Sequence, residues 1–169
     1  GYYATHLFAQ ILGGGLTSRL WHEVRETRGL AYDIGAFHWP FSDCGLFGVH
    51  AGTSGTDLPA LVEVAIACAR AAIRDIEADE LSRAKTQLKV ALLTALETPA
   101  GRAERDARQL LAWGRIIPSR EIVAKVEAVT VDEVRAAGAA LLQGAPTVAA
   151  VGPIRKLPSL KRIGPMLRA

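Results

Sequence analysis

Long uncharged apolar runs are missing from this chain of 169 residues. The nearest approach, "LVEVAIACARAAI", is interrupted by Glu63 and Arg70 at helical intervals. It falls short of the roughly 18 consecutive apolar residues that a membrane helix needs, so no membrane span is expected in this segment. Runs of one charge are missing too. The net charge is only +3, and no cluster of Lys and Arg interleaves with aromatics. A nucleic-acid partner is therefore not expected, and the basic residues read as a solvated surface. Cysteine is scarce: Cys44 and Cys68 form no CxxC pair and have no His nearby at metal-binding spacing. Cys68 falls on an apolar helix face, where a buried free thiol is expected, while a disulfide between the two stays open. Methionine occurs once, at Met166, and the chain begins at Gly1. Both facts suggest a fragment of a longer protein. No signal peptide is read in this segment, which leaves the compartment open.

Familiar catalytic signatures are absent as well. His6, His22, His38 and His50 sit on different segments, none of them in H-E-x-x-H or H-x-x-E-H. "HEVRE" places Glu26 one helical turn after His22, which suits a surface hydrogen bond. One His and one Glu make a poor zinc site, because catalytic zinc takes three protein ligands. His38 and His50 could meet across a hairpin, depending on its register. No Ser/His/Asp or Cys/His arrangement stands out, and no close carboxylate pair suits glycosidase work. By itself the chain is expected to hold no metal and to supply no nucleophile.

What is present is an ordinary globular composition, 50% apolar and 22% charged, enough for one domain with a core. "YYATHLFAQILGGG" reads as a helix whose Leu7, Ile11 and Leu12 share a face, ended by glycines. Thr17 or Ser18 can cap a second helix through "SRLWHEVRETR", with Leu20, Trp21 and Val24 on its apolar side. The period then shortens. "LAYDIGAFHWP" and "GLFGVHAGT" flank "FSDC", a hairpin signal, with Phe47, Val49 and Ala51 on one face of the second strand. Helices follow. The one after Asp57 is expected to be the most buried, and the next repeats Leu81, Ala84, Leu88, Leu92 and Ala95 until Pro99 and Gly101 break it. Thr130 and Glu133 form a capping box, "PTVAAVGP" reads as a late strand, and the tail "KLPSLKRIGPMLRA" as surface chain. Three strands and about six helices in this order make an α+β unit rather than alternating βαβ. One early pair and one late strand imply a further strand upstream of Gly1, so residues 1–169 read as a single domain lacking at least its first strand.

Two features remain. Gly13, Gly14 and Gly15 follow a helix rather than a strand, so they fit neither a Walker loop nor a dinucleotide fingerprint. They leave open a plain helix-to-helix turn or a backbone able to approach a ligand closely. Arg25 and Tyr32 lie seven positions apart across Gly29, one at a helix end and one at a strand start. A guanidinium and a phenol can both donate to a peptide carbonyl and to the oxyanion it becomes on hydrolysis. Spacing alone favours the plainer reading, an arginine capping its own helix beside a core tyrosine.

The blocks "ILGGGLTSRLWHEVRETRGLAYDIGAFH" and "DCGLFGVHAGTS" resemble the second, metal-free domain of the pitrilysin/insulinase-type (M16) zinc metallopeptidases. That family includes the mitochondrial processing peptidase and its bacterial relatives. "DELSRAKTQLKVALLTALET", "IVAKVEAVTVDEVRAAGAALL" and "VAAVGP" continue the resemblance in order. It implies one half-unit of a duplicated LuxS/MPP-like metallohydrolase domain, a mostly antiparallel sheet backed by helices. It also implies a zinc endopeptidase acting on peptides or unfolded segments, its H-x-x-E-H zinc site in an upstream domain or a partner subunit. The halves of such a protein close over the substrate, which suggests a dimer in the full protein. In the resemblance, Arg25 and Tyr32 fall on a catalytic Arg/Tyr pair that reaches the scissile bond, and Gly13, Gly14 and Gly15 on a substrate-binding loop. The fragment alone is expected to be inactive. A non-catalytic scaffold subunit of core-protein type is the alternative that the family also offers. A bacterial cell envelope or cytosol would suit such a protein, and the sequence does not choose between them.

Overall fold

The computed structural model describes residues 1–41 and 43–168. Helix α1, Tyr2–Gly13, is the centre of the fold. Leu7, Phe8 and Leu12 are fully buried, and Ala4, Ala9, Ile11 and Gly13 are nearly so. This helix packs on the sheet with one side and on the later helices with others. It, rather than the helix after Asp57, is the most buried of the set, because large apolar side chains on several faces all find partners. Two glycines set its distances. A Cβ on Gly13 would lie 2.2 Å from the backbone nitrogen of Ala36 in the first strand, and one on Gly138 would lie 2.3 Å from the Phe8 ring. Both neighbours approach closer than any alanine permits.

Strands β1, Asp33–Pro40, and β2, Gly45–Gly52, form an antiparallel hairpin. Its register pairs Ile34 with Ala51, Ala36 with Val49 and His38 with Phe47. Opposed residues share a face. Ile34, Ala36, His38 and Phe47 therefore face α1, where the Phe47 ring centroid lies 5.6 Å from that of Phe8. The other face carries Phe37, Trp39, Leu46 and His50. His50 opposes Gly35 while His38 opposes Phe47, so the two histidines point to opposite faces and do not meet. In the "FSDC" turn the Phe41 N–H donates to the Cys44 carbonyl at 2.9 Å; Ser42 lies outside the described residues.

Five further helices follow the hairpin, α2 Leu58–Asp75, α3 Ala78–Thr94, α4 Pro99–Trp113, α5 Ser119–Ala128 and α6 Val131–Leu142, and α2, α3, α5 and α6 pack on α1. Their starts follow the sequence. Thr98 Oγ1 accepts from the Gly101 N–H at 3.0 Å, and Thr130 and Glu133 exchange the reciprocal bonds of a capping box. Leu81, Ala84 and Leu88 of α3 are buried, whereas Ala95 lies past the helix end in solvent. Cys44 is exposed, Cys68 is buried, and both are free thiols.

Two expectations are corrected. "PTVAAVGP" forms no strand: residues 145–151 are irregular, with Val148 and Val151 exposed. A strand persists only where a neighbour takes its backbone hydrogen bonds, and the described residues place no strand beside this one. The tail is not plain surface chain either. After a short 3₁₀ turn, Ile154–Lys156, it forms helix α7, Leu160–Arg168, with Ile163 buried. Arg162 pairs with Glu63 and Arg70 donates to the Met166 carbonyl, which ties α7 to α2. The result is an α+β unit, a two-stranded antiparallel sheet backed by helices.

Candidate functional site

Ser18 starts the second helical stretch. The Trp21 N–H donates to its Oγ at 3.4 Å, and Ser18 Oγ donates to the Gly15 carbonyl at 2.6 Å. From Trp21 to Thr27 the coil widens into a π-helix, a local form often associated with functional sites. Arg19, at its start, is clamped: its guanidinium bonds both Glu80 oxygens and pairs with Asp75, at the junction of α2 and α3. Its hydrogen bonds to Glu80, against the opposing effect of burial, hold the guanidinium proton more tightly than usual. Burial pushes the Glu80 carboxyl up, but the Arg19 hydrogen bond and the Glu77 N–H outweigh it and leave the group below its ordinary range.

The far end is a sharp corner. The Gly29 N–H donates to the Arg25 carbonyl at 3.2 Å and the Leu30 N–H to the Val24 carbonyl at 2.8 Å. Gly29 has φ 61°, the left-handed region that favours glycine at a helix exit. Thr53 Oγ1 holds the Leu30 carbonyl from the end of β2 at 2.5 Å. The Tyr32 N–H then donates to Gly52 at 2.9 Å, which starts the ladder one residue before β1 proper. Helix end and strand start are thus fixed to each other.

On this corner Arg25 and Tyr32 come together. The Arg25 Cζ lies 5.3 Å from the Tyr32 ring centroid and 4.1 Å from that of Trp21. Tyr32 is 81% exposed and Arg25 half-buried. Arg25 does not cap its own helix: among the described residues its guanidinium has no ion-pair or hydrogen-bond partner. Its neighbouring carboxylates are taken, Glu23 by Arg28 at 3.2 Å and Glu26 by His22 at 3.1 Å. The tyrosine is not a core residue either. Sequence reading placed Trp21 on the apolar side of this helix and missed its contact with Arg25; the signal was there as a Trp-x-x-x-Arg spacing.

The three glycines occupy different settings. Gly13 is buried against β1, and Gly14 sits against Gln10, whose amide donates to the Gly14 carbonyl at 2.8 Å. Only Gly15 is open, with φ 121° and nothing within 4 Å of where a Cβ would sit. Exposed Leu16 follows it. His6 and His38 lie with ring centroids 6.0 Å apart between α1 and β1. Burial pushes both imidazoles down, and His38 pushes His6 further. Among the described residues no three His, Cys, Asp or Glu side chains gather in the way a catalytic zinc site requires. No helix among them is long and apolar enough to cross a membrane.

Residues 1–88, which include the whole corner, match the model of the peptidase M16 inactive domain. The chain belongs to the peptidase M16 family. A Streptomyces coelicolor protein named as an uncharacterized zinc protease is 34% identical over 148 residues, 85% of this chain and 32% of the relative. An Arabidopsis thaliana protein named as a probable beta subunit of the mitochondrial-processing peptidase is also 34% identical, over 153 residues, 89% of this chain and 28% of its own length. The M16 chain thus spans about a third of the length of the curated relatives it matches. Its fold recurs in a chain of complex III2 from Candida albicans, with TM-score 0.89 and 21% identity over 98% of this chain and 42% of that one.

Proposed function

We propose that this M16 domain is the C-terminal, non-zinc part of a zinc-dependent endopeptidase that acts on peptides or unfolded segments. The zinc ligands belong to an upstream domain or a partner subunit, and the domain alone is inactive. The names of its zinc-protease relatives support that class. The observation that carries the role of this chain is the corner itself: a guanidinium without an ion-pair or hydrogen-bond partner among the described residues, beside an exposed phenol, both on fixed backbone.

A peptide lying across the corner would offer its scissile carbonyl oxygen to the Arg25 N–H groups and the Tyr32 O–H. Both side chains stand on backbone that is fixed before substrate arrives, which would limit the reorganisation needed as negative charge builds on that oxygen. Closure of the two halves over the peptide would exclude water and strengthen both hydrogen bonds. Gly15 and Leu16 are the part of the glycine loop open enough to touch a peptide.

In the complete protein, Arg25→Ala and Tyr32→Phe should each lower kcat by about 100- to 1,000-fold, the scale of a lost oxyanion donor. Zinc content and folding should not change. Near-normal turnover in both variants would remove the catalytic role. Absence of hydrolysis in the wild-type protein, together with stable incorporation into a multi-subunit assembly, would favour the scaffold reading suggested by the complex III2 likeness.

A further inference from the structure

We propose that Trp21 is a positioning residue for Arg25, a stacking platform that fixes the guanidinium while leaving its N–H groups free for the peptide. The inference rests on the functional reading of the corner and assigns a role to a residue that reading does not use.

An arginine can be held in place by a carboxylate, but a carboxylate occupies the N–H groups that would serve a substrate. Both acidic neighbours of Arg25 are engaged elsewhere, Glu23 with Arg28 and Glu26 with His22. Among the described residues the guanidinium has no ion-pair or hydrogen-bond partner, and it lies over two rings, Trp21 at 4.1 Å and Tyr32 at 5.3 Å. A ring attracts the guanidinium through its face and takes up none of the in-plane hydrogen bonds. Trp21 is itself supported, half-buried and packed against the core. One side of the indole thus belongs to the interior and the other carries the cation. Four residues is close to one turn of the wider π-helical coil, so the local geometry brings residue 21 under residue 25. A rotamer-rich side chain at a surface corner would otherwise sample many positions, and small misplacements of a reacting-site donor are costly to turnover.

The test is kinetic, on the complete protein with a fluorescence-quenched unstructured peptide as probe and the folded fraction followed by circular dichroism. Trp21→Leu should lower kcat roughly tenfold with KM changed less than about twofold, a misplacement effect. Trp21→Phe, which keeps a ring face, should recover turnover to within about threefold of wild type. On an Arg25→Ala background, Trp21→Leu should cost no further kcat, because its effect passes through Arg25. An equal loss in both backgrounds would overturn the proposal by showing that Trp21 acts only through general packing. Trp21→Leu turnover within twofold of wild type, with Arg25→Ala impaired, would overturn it and leave the functional reading intact. Normal turnover in Arg25→Ala would overturn the proposal, and joined by normal turnover in Tyr32→Phe it would remove the functional reading as well.

Discussion

Arg19 and Arg25 stand six residues apart on one helical stretch and have opposite surroundings. Arg19 is mostly buried, and its guanidinium is spent on Glu80 and Asp75. Arg25 is half-buried, has both neighbouring carboxylates withheld, and rests on aromatic faces. The same side chain is a fastener at one end and an unspent donor at the other. What separates them is what each finds across the fold: two acidic groups at the α2–α3 junction, or two rings and solvent. A structural arginine should reveal itself in stability and a substrate-facing one in turnover.

The largest effect expected is the loss of kcat in Arg25→Ala. Its melting temperature should move by less than about 2 °C, since among the described residues no hydrogen bond is lost with the side chain. A drop of several degrees would erase the contrast. Next comes Gly13→Ala. Its methyl would meet the Ala36 backbone nitrogen at 2.2 Å and push β1, which follows Tyr32, away from α1. Overpacking against backbone should cost about 2–3 kcal/mol by urea unfolding, and turnover should fall with it as the corner opens. Arg19→Ala should cost about 2 kcal/mol, less than a fully buried pair because solvent reaches part of the site. At temperatures where the variant stays folded, its kcat should remain near wild type. A turnover loss like that of Arg25→Ala would show that the two ends are not separate in function.

The smallest effects are in pH. His6 is held below its ordinary pKa by burial and by His38. The unfolded chain therefore takes up the proton first, and stability should decline as pH falls through about 6.5. Glu80 is held low on balance, so the stability from its depressed carboxyl is present above about pH 4.3 and is lost as pH falls through the folded-state value. Unfolding followed from pH 8 to 3 should show His6→Gln flattening the upper part of the profile and Arg19→Ala the lower part.

Much of the fold was legible because its causes are local. The glycine run ending α1, the Thr130–Glu133 box and the turn at Gly29 are each written within a few residues. Distant partners were not legible. "PTVAAVGP" has strand composition, yet the described residues give it no neighbouring strand. The tail lacks a clear period, yet Arg162 and the Met166 carbonyl find partners on α2, Ile163 is buried, and the segment coils. The relative burial of α1 and the helix after Asp57 was not legible either, since it depends on how many elements surround each.

At the site the division is similar. Spacing along the chain set Arg25 and Tyr32 on either side of a corner but favoured a capping arginine beside a core tyrosine, and it was the family resemblance that marked them as a site pair. The bonds of the corner follow from Gly29 and its flanking residues. Only the tertiary structure settled that Tyr32 faces solvent, that Glu23 and Glu26 are occupied, and that Trp21 lies beneath the guanidinium. Backbone direction at a turn is set by short-range sterics that adjacent residues carry with them. The company a long side chain keeps is set by groups brought near it only when the chain folds.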